Sequence, residues 1–359
     1  MMPIALKEER AWRTYLGGRE LDRFLKKESP QDSHFPELWM FSETQARNAG
    51  REDIVEGLSR TIDNPDITLK KLIGDAPEKM LGAKHVAQWG ATMGVLFKII
   101  DSQERLTVQV HPNVEKAKKL FHSQFGKTEC WHILETRSDL DESAHIYLGF
   151  KEGITREEWI EAFNRQDVDK MLQMLHKIPV KKGDTFLVKG GVPHAIGAGC
   201  MLLEIQEPTD YTIRVEKTTP SGFAIDDFMC HQGLGFEKMF ECFEYQGMTF
   251  DQLISKYRIL PKKDVSYPNC VHIVDYSDTS CFRLGKMCVK TEVSLQKSDV
   301  FRCLFVQGGK GELRGKTYRR KIKAGDQLFI PAECEEMLFL SKADGDDLVV
   351  LIGEGPLSN

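Results

Sequence analysis

The segment "LTVQVHP" sets Gln109 and His111 two residues apart on a presumed strand, so their side chains leave the same face. "GKTECWHIL" repeats that spacing with Lys127, Glu129 and Trp131: an ammonium, a carboxylate and an indole on one face. Further on, "KKGDTFLVKGGVPHAIGAG" ends a β-rich run on paired glycines, a proline and His194. Gln109, His111, Glu129 and His194 together offer two imidazoles, a carboxylate and an amide oxygen. Such donors suit a divalent ion, zinc among them, with positions left open to water or substrate. Taken singly, each has an ordinary explanation, since a lone histidine is usually hydrogen-bonded or on the surface and a strand Gln or Glu often faces water. Glu204 and Gln206 in "LLEIQEP" share one face of a strand leading away from His194. That places them to orient a ligand, because a metal-bound imidazole needs a partner on its other ring nitrogen.

Short strands must carry these groups. "GVLFKIIDSQERLTVQVHP" holds two β-branched and apolar runs around a polar turn, the pattern of a hairpin. The opening segment also has an echo: "KKGDTFLVKGGVPHAI" lies without a gap over "KAGDQLFIPAECEEML", matching Gly183 to Gly325, Asp184 to Asp326 and His194 to Glu336. A Gly-Asp turn followed by an apolar strand and a tight corner suits a β-sandwich or jelly roll, and the length accommodates two of them. Helical spacing interrupts the strands twice. Between about residues 46 and 90, Leu58, Ile62, Leu69, Leu72 and Ile73 predict two or three short helices broken at "DNPD". From 155 to 177, Thr155 and Glu158 form a capping-box pattern ahead of Trp159, Ile160, Phe163, Val168, Met171, Leu172 and Leu175. That stripe reads as packing surface inserted between the Glu129 strand and the His194 strand.

Composition narrows the partners. With 359 residues, about two domains are expected, and 41% hydrophobic residues suffice for packed cores. A net charge of −5 with scattered basic residues marks out no nucleic-acid stripe or membrane patch. The nine cysteines form no C-x-x-C pair and no framework, and no signal-like or membrane-spanning run is present, so reduced thiols and a cytoplasmic setting are expected.

The segments "LTVQVHPN", "GKTECWHIL" and "VKKGDTFLVKGGVPHAIGAGCMLLEIQEPTDYTIRVEK" closely resemble the type I phosphomannose isomerases, a branch of the cupin superfamily. The resemblance is strong from about residue 93 to 215, weaker in "ERAWRTYLGGREL", and architectural only beyond about residue 245. It implies a mainly β fold of two cupin-type jelly-roll barrels, with helical insertions in a catalytic half spanning 1–245 and a C-terminal barrel, 246–359, without a metal site. It implies an aldose–ketose isomerase acting on a small sugar phosphate, mannose 6-phosphate to fructose 6-phosphate, as a monomer or homodimer. One zinc ion per chain would be held by Gln109, His111, Glu129 and His194. Lys127, from Gly-Lys-x-Glu, and Arg214, from Asp-x-Thr-x-Arg, match active-site positions; without that motif Arg214 would read as a surface arginine paired with Asp210 or Glu216. The chain departs from the family at Lys189, where proline is common, at Ile213, where tyrosine is, and at "PELWMFSET", where an acidic glycine-tryptophan element stands. Those departures keep open a sugar-phosphate isomerase of other specificity or a non-catalytic sugar-phosphate-binding cupin. An iron cupin oxygenase is the third alternative, since two histidines and a carboxylate also make a facial triad; Gln109 and Lys127 argue against it.

Overall fold

The computed structural model describes all residues except 49, 52, 268, 342–346 and 359. Its strands pair antiparallel into sheets of six, five, seven and four strands. The six- and five-stranded sheets face each other around one apolar interior, to which Ile100, Trp131, Ile133, Phe186 and Leu202 come from the first and Ile146, Leu148, Ile178 and Ile196 from the second. The seven- and four-stranded sheets enclose another, built from Leu304, Val306, Leu328 and Ile352 against Leu313, Ile322 and Phe339. Because strand side chains alternate, the two larger sheets each have a second apolar face, and these meet back to back: Phe97, Ile99, Cys130, Leu187 and Leu203 pack in one cluster with Cys303, Phe305, Phe329 and Leu351.

The internal echo is a structural repeat. Gly183 and Gly325 adopt φ of 91° and 94°, a region that a side chain makes unfavourable. In each turn the aspartate carboxylate then accepts the backbone N–H three residues earlier, Lys181 to Asp184 at 3.0 Å and Lys323 to Asp326 at 2.9 Å. Each turn leads into a buried strand, Thr185–Val188 or Gln327–Ile330.

The inserted helices are Arg156–Arg165, with the Thr155–Glu158 capping box formed, and Val168–Gln173, started by the Asp167 side chain. Their Trp159, Phe163 and Met171 pack with Val108, Val110, Ala195 and Ile213. These four alternate with Gln109, His111, His194 and Arg214, so the insertion buttresses the outer face of the sheet whose inner face carries the polar groups.

Two expectations need correction. The runs flanking "DSQER" do not pair as a hairpin: Leu96–Asp101 lies in the six-stranded sheet beside Cys200–Gln206, and Gln109–Val110 in the five-stranded sheet beside His194–Ile196. The intervening loop carries the chain from one sheet to the other. Helix begins later than residue 46, with Leu69–Asp75, Pro77–Leu81 and Ala83–Trp89; Ile62 is exposed, so Leu58 and Ile62 never formed a buried stripe. Two segments link the regions on either side of residue 245. Ile4–Leu6 pairs with Gln327–Ile330, and the helix Phe250–Tyr257 seats Leu253 and Tyr257 in the N-terminal interior.

Candidate metal and sugar-phosphate site

Two rows of side chains, one on each sheet, build the site. On the five-stranded sheet, register places Arg214 opposite Gln109 and Gln109 opposite His194. On the six-stranded sheet it places Lys98 opposite Glu204 and Glu204 opposite Trp131, with Glu129 two residues along from Trp131. His111 follows Gln109–Val110, and Lys127 precedes the Glu129 strand.

These rows bring His111, Glu129 and His194 together, all buried, with ligand-type atoms within 4.8 Å of one another. His111 Nδ1 lies 2.8 Å from the Tyr211 carbonyl oxygen and His194 Nδ1 2.8 Å from that of Val192. A carbonyl oxygen only accepts, so each Nδ1 carries the hydrogen and each Nε2 turns its lone pair inward. Burial, reinforced by the Lys127 charge, pushes the His111 imidazole down to about 3, and burial lowers His194 as well. Both rings are therefore neutral near pH 7. Burial works against ionising Glu129, yet Lys127 and the two imidazoles hold its carboxyl well below the usual range. Its Oε1 is buried without a hydrogen-bond partner, although His111 Nε2 is 3.0 Å and Lys127 Nζ 2.9 Å away. Two neutral imidazole nitrogens and an ionised carboxylate oxygen without a hydrogen bond, all buried, fit a divalent transition metal. The Gln109 amide stands beside them, 3.4 Å from His194 Nε2.

Around this centre, Lys127 Nζ also lies 3.0 Å from His111 Nε2. Arg214 donates to the Met229 and Thr212 carbonyl oxygens at 2.9 and 3.3 Å and forms no salt bridge among the described residues; Glu216 is taken by Arg105. Asp210 is near enough to offset part of the burial that lowers the Arg214 guanidinium. Ile213 points the other way, into the buttressing cluster. Glu204 and Gln206 do not touch either imidazole, whose orienting partners are backbone carbonyls. Glu204 instead accepts from Trp131 Nε1 at 3.1 Å, and Gln206 donates to the Glu207 and Thr209 carbonyls, tying down the loop ahead of Asp210.

Four residues absent from the sequence-derived set complete the wall. Lys98 is buried with its Nζ 3.3 Å from Glu204. Burial, then the Glu129 charge, push Glu204 up to about 7 against the pull of Lys98. Glu37, from "PELWMFSET", accepts from Tyr15 and Trp39 at 2.7 Å each and pairs with Arg13 at 3.0 Å. Burial opposes its ionisation, but Arg13 and Lys98 bring it down to about 2. The signal was available: a charge set among buried apolar strand residues, as Lys98 in "LFKIID" and Glu37 in "ELWM", must find a partner or a function. Lys98, Glu204, Gln109, Lys127, Arg13 and Arg214 line a cavity of about 50 Å³. A larger groove, about 1000 Å³, lies alongside and shares Asp210; none of the three clustered ligand residues lines either space.

Residues 5–133 match the family model for the catalytic domain of type I phosphomannose isomerase. Mannose-6-phosphate isomerase ManA of Bacillus subtilis is 29% identical over 67% of this chain and 70% of its own length. Over these segments the chain is similar to the type I phosphomannose isomerases. A second relative, mannose-6-phosphate isomerase of Streptococcus mutans, is 40% identical over 39% of this chain, an alignment spanning 42% of that protein. The fold extends the likeness to the whole molecule: a crystal structure of the B. subtilis mannose 6-phosphate isomerase superimposes with a TM-score of 0.73 over 99% of this chain and all of that one, at 21% identity. A mannosephosphate isomerase structure from Archaeoglobus fulgidus, described as putative, gives 0.71 at 18% identity, over 99% of each chain. The C-terminal half, outside the family-model match, thus shares the phosphomannose isomerase architecture.

Proposed function

We propose that this chain is a mannose-6-phosphate isomerase, interconverting mannose 6-phosphate and fructose 6-phosphate through an enediolate with one zinc ion. The observation that carries the reading is the inward-facing triad His111, Glu129 and His194, with its unsatisfied carboxylate oxygen, in a chain similar to this family. These three would hold the ion, with Gln109 as a fourth donor. A divalent ion held there supplies a Lewis acid for the oxygen charge that develops during the reaction.

The remaining steps belong to the protein. Tyr211 and Val192 carbonyls fix the imidazole tautomers, and the buttressing helices hold the strands that carry them. Arg214, half-buried and without a salt bridge among the described residues, presents a permanent positive charge to substrate oxygens, and its planar fork suits an oxyanion. Lys127, beside the triad, is assigned the proton transfer: its neutral amine would take the proton from one carbon, and the ammonium so formed would return it to the adjacent carbon, a contribution of about 10²–10⁴-fold in rate. The buried walls exclude water, which preserves that proton against exchange.

The test is a coupled assay for fructose 6-phosphate formed from mannose 6-phosphate, with glucose 6-phosphate as competitor aldose. Turnover of the mannose sugar is expected. Absence of turnover in zinc-loaded, folded protein leaves the binding reading; preference for another aldose phosphate leaves an isomerase of other specificity.

A further inference from the structure

The metal reading leaves the Trp131 indole unexplained. Trp131 is fully buried, and its single N–H stands 3.1 Å from Glu129 Oε2 and 3.1 Å from Glu204 Oε1. Its ring lies edge-on to the His194 imidazole, with centroids 5.3 Å apart and planes at 77°. One donor is thus shared between two carboxylates while the ring walls a third side chain. The two Glu129 oxygens differ in consequence: Oε2 takes the indole N–H, while Oε1 has no hydrogen bond and faces His111 Nε2 at 3.0 Å and the Lys127 ammonium at 2.9 Å.

We propose that Trp131 is a positioning residue that fixes how Glu129 presents itself to a metal, occupying Oε2 so that Oε1 alone is offered. The inference rests on the metal reading of the triad. A one-oxygen carboxylate beside two imidazoles favours a small coordination number and nitrogen-loving ions such as zinc. A two-oxygen carboxylate favours larger shells and oxygen-loving ions such as manganese. Trp131 therefore sets metal selectivity through Glu129 while touching neither metal nor substrate. The same N–H ties Glu129 to Glu204 and, through it, to Lys98 at 3.3 Å, so the ligand's orientation and the cavity wall are fixed by one bond donor.

The experiment measures zinc and manganese affinity by competition with a chromophoric chelator, and the visible spectrum of the cobalt-loaded protein, for wild type and Trp131→Phe. Removing the N–H while keeping an aromatic ring should weaken zinc about 10–100-fold, the range for losing a ligand's hydrogen-bond partner. Manganese should be weakened less, and the cobalt spectrum should move towards that of a higher coordination number. Should Trp131→Phe fail to fold, β-(3-benzothienyl)alanine placed at 131 keeps the indole's shape with sulfur in place of N–H and gives the same readouts. Unchanged zinc-to-manganese preference and an unchanged cobalt spectrum in a folded variant overturn the proposal. Wild-type protein that takes up no metal overturns the metal reading itself, so the two failures are distinguishable.

Discussion

The two halves start from the same device, a glycine in the left-handed region and an aspartate clasping the turn, and diverge within one row of side chains. Across the six-stranded sheet the register runs Lys98, Glu204, Trp131, Phe186; across the seven-stranded sheet the matching row is Gly285, Ile352, Leu304, Leu328. Where one half has Glu129 opposite Val188, the other has Arg302 opposite Ile330, with its guanidinium spent on the Gln296 carbonyl. Where one has the buried His194, the other has an exposed Glu336 bonded to Ser294 and Gln296. The backbone positions are equivalent, so what separates a candidate catalytic chamber from a packed core is the polarity of a few inward residues.

The contrast should break first at the metal. His194→Ala removes an imidazole that nothing nearby replaces, and elemental analysis should fall from one zinc per chain to nearly none, whereas Glu336→Ala should retain it fully. Next in size, Arg214→Ala and Lys127→Ala should each reduce kcat by about 10²–10³-fold with zinc content preserved. If Arg214 stabilises charge that grows in the transition state, kcat and kcat/KM fall together; a rise in KM alone would assign it to ground-state binding.

In the other half the same row should report stability only. Leu304→Ala deletes a fully buried side chain and should cost about 2–5 kcal/mol in denaturant unfolding, with kcat per folded molecule unchanged. A smaller, pH-dependent effect is expected at Glu37. Its folded value of about 2 lies below the ordinary 4.5, so its stabilisation is complete above about 4.5 and is lost as pH falls towards 2. The shift corresponds to about 3 kcal/mol, and the stability gap between wild type and Glu37→Gln should narrow by that order over this range. The smallest effects belong to the paired turns. Gly183→Ala meets nothing within 4 Å and should cost only the left-handed backbone, about 1–2 kcal/mol; at Gly325 the added carbon also comes within 2.6 Å of Leu25, so Gly325→Ala should cost more.

The turn repeat and the capped helix at Thr155 were legible because each is encoded locally, in a turn chemistry or a capping pair; the two-residue spacings offered His111, Glu129 and His194 as candidates, and the resemblance of their motifs joined them. Arg13, Tyr15, Glu37 and Lys98 were not, because their roles depend on which strands become neighbours. Lys98 faces Glu204 only because Leu96–Asp101 pairs with a strand some hundred residues away rather than with its sequence neighbour. The same long-range pairing explains the missed hairpin. Gln206 illustrates the converse: it shares a strand face with Glu204, as read, yet a loop carbonyl claims its amide before any ligand can.

The central claim is that one half of the molecule holds one metal and performs the chemistry. Its most direct test is to strip the protein with a chelator, titrate zinc back, and follow isomerisation of mannose 6-phosphate alongside bound metal. Activity should vanish on stripping and return in proportion to zinc, reaching its maximum at one ion per chain. Undiminished turnover in metal-free protein, or a maximum reached only at two ions per chain, would contradict it.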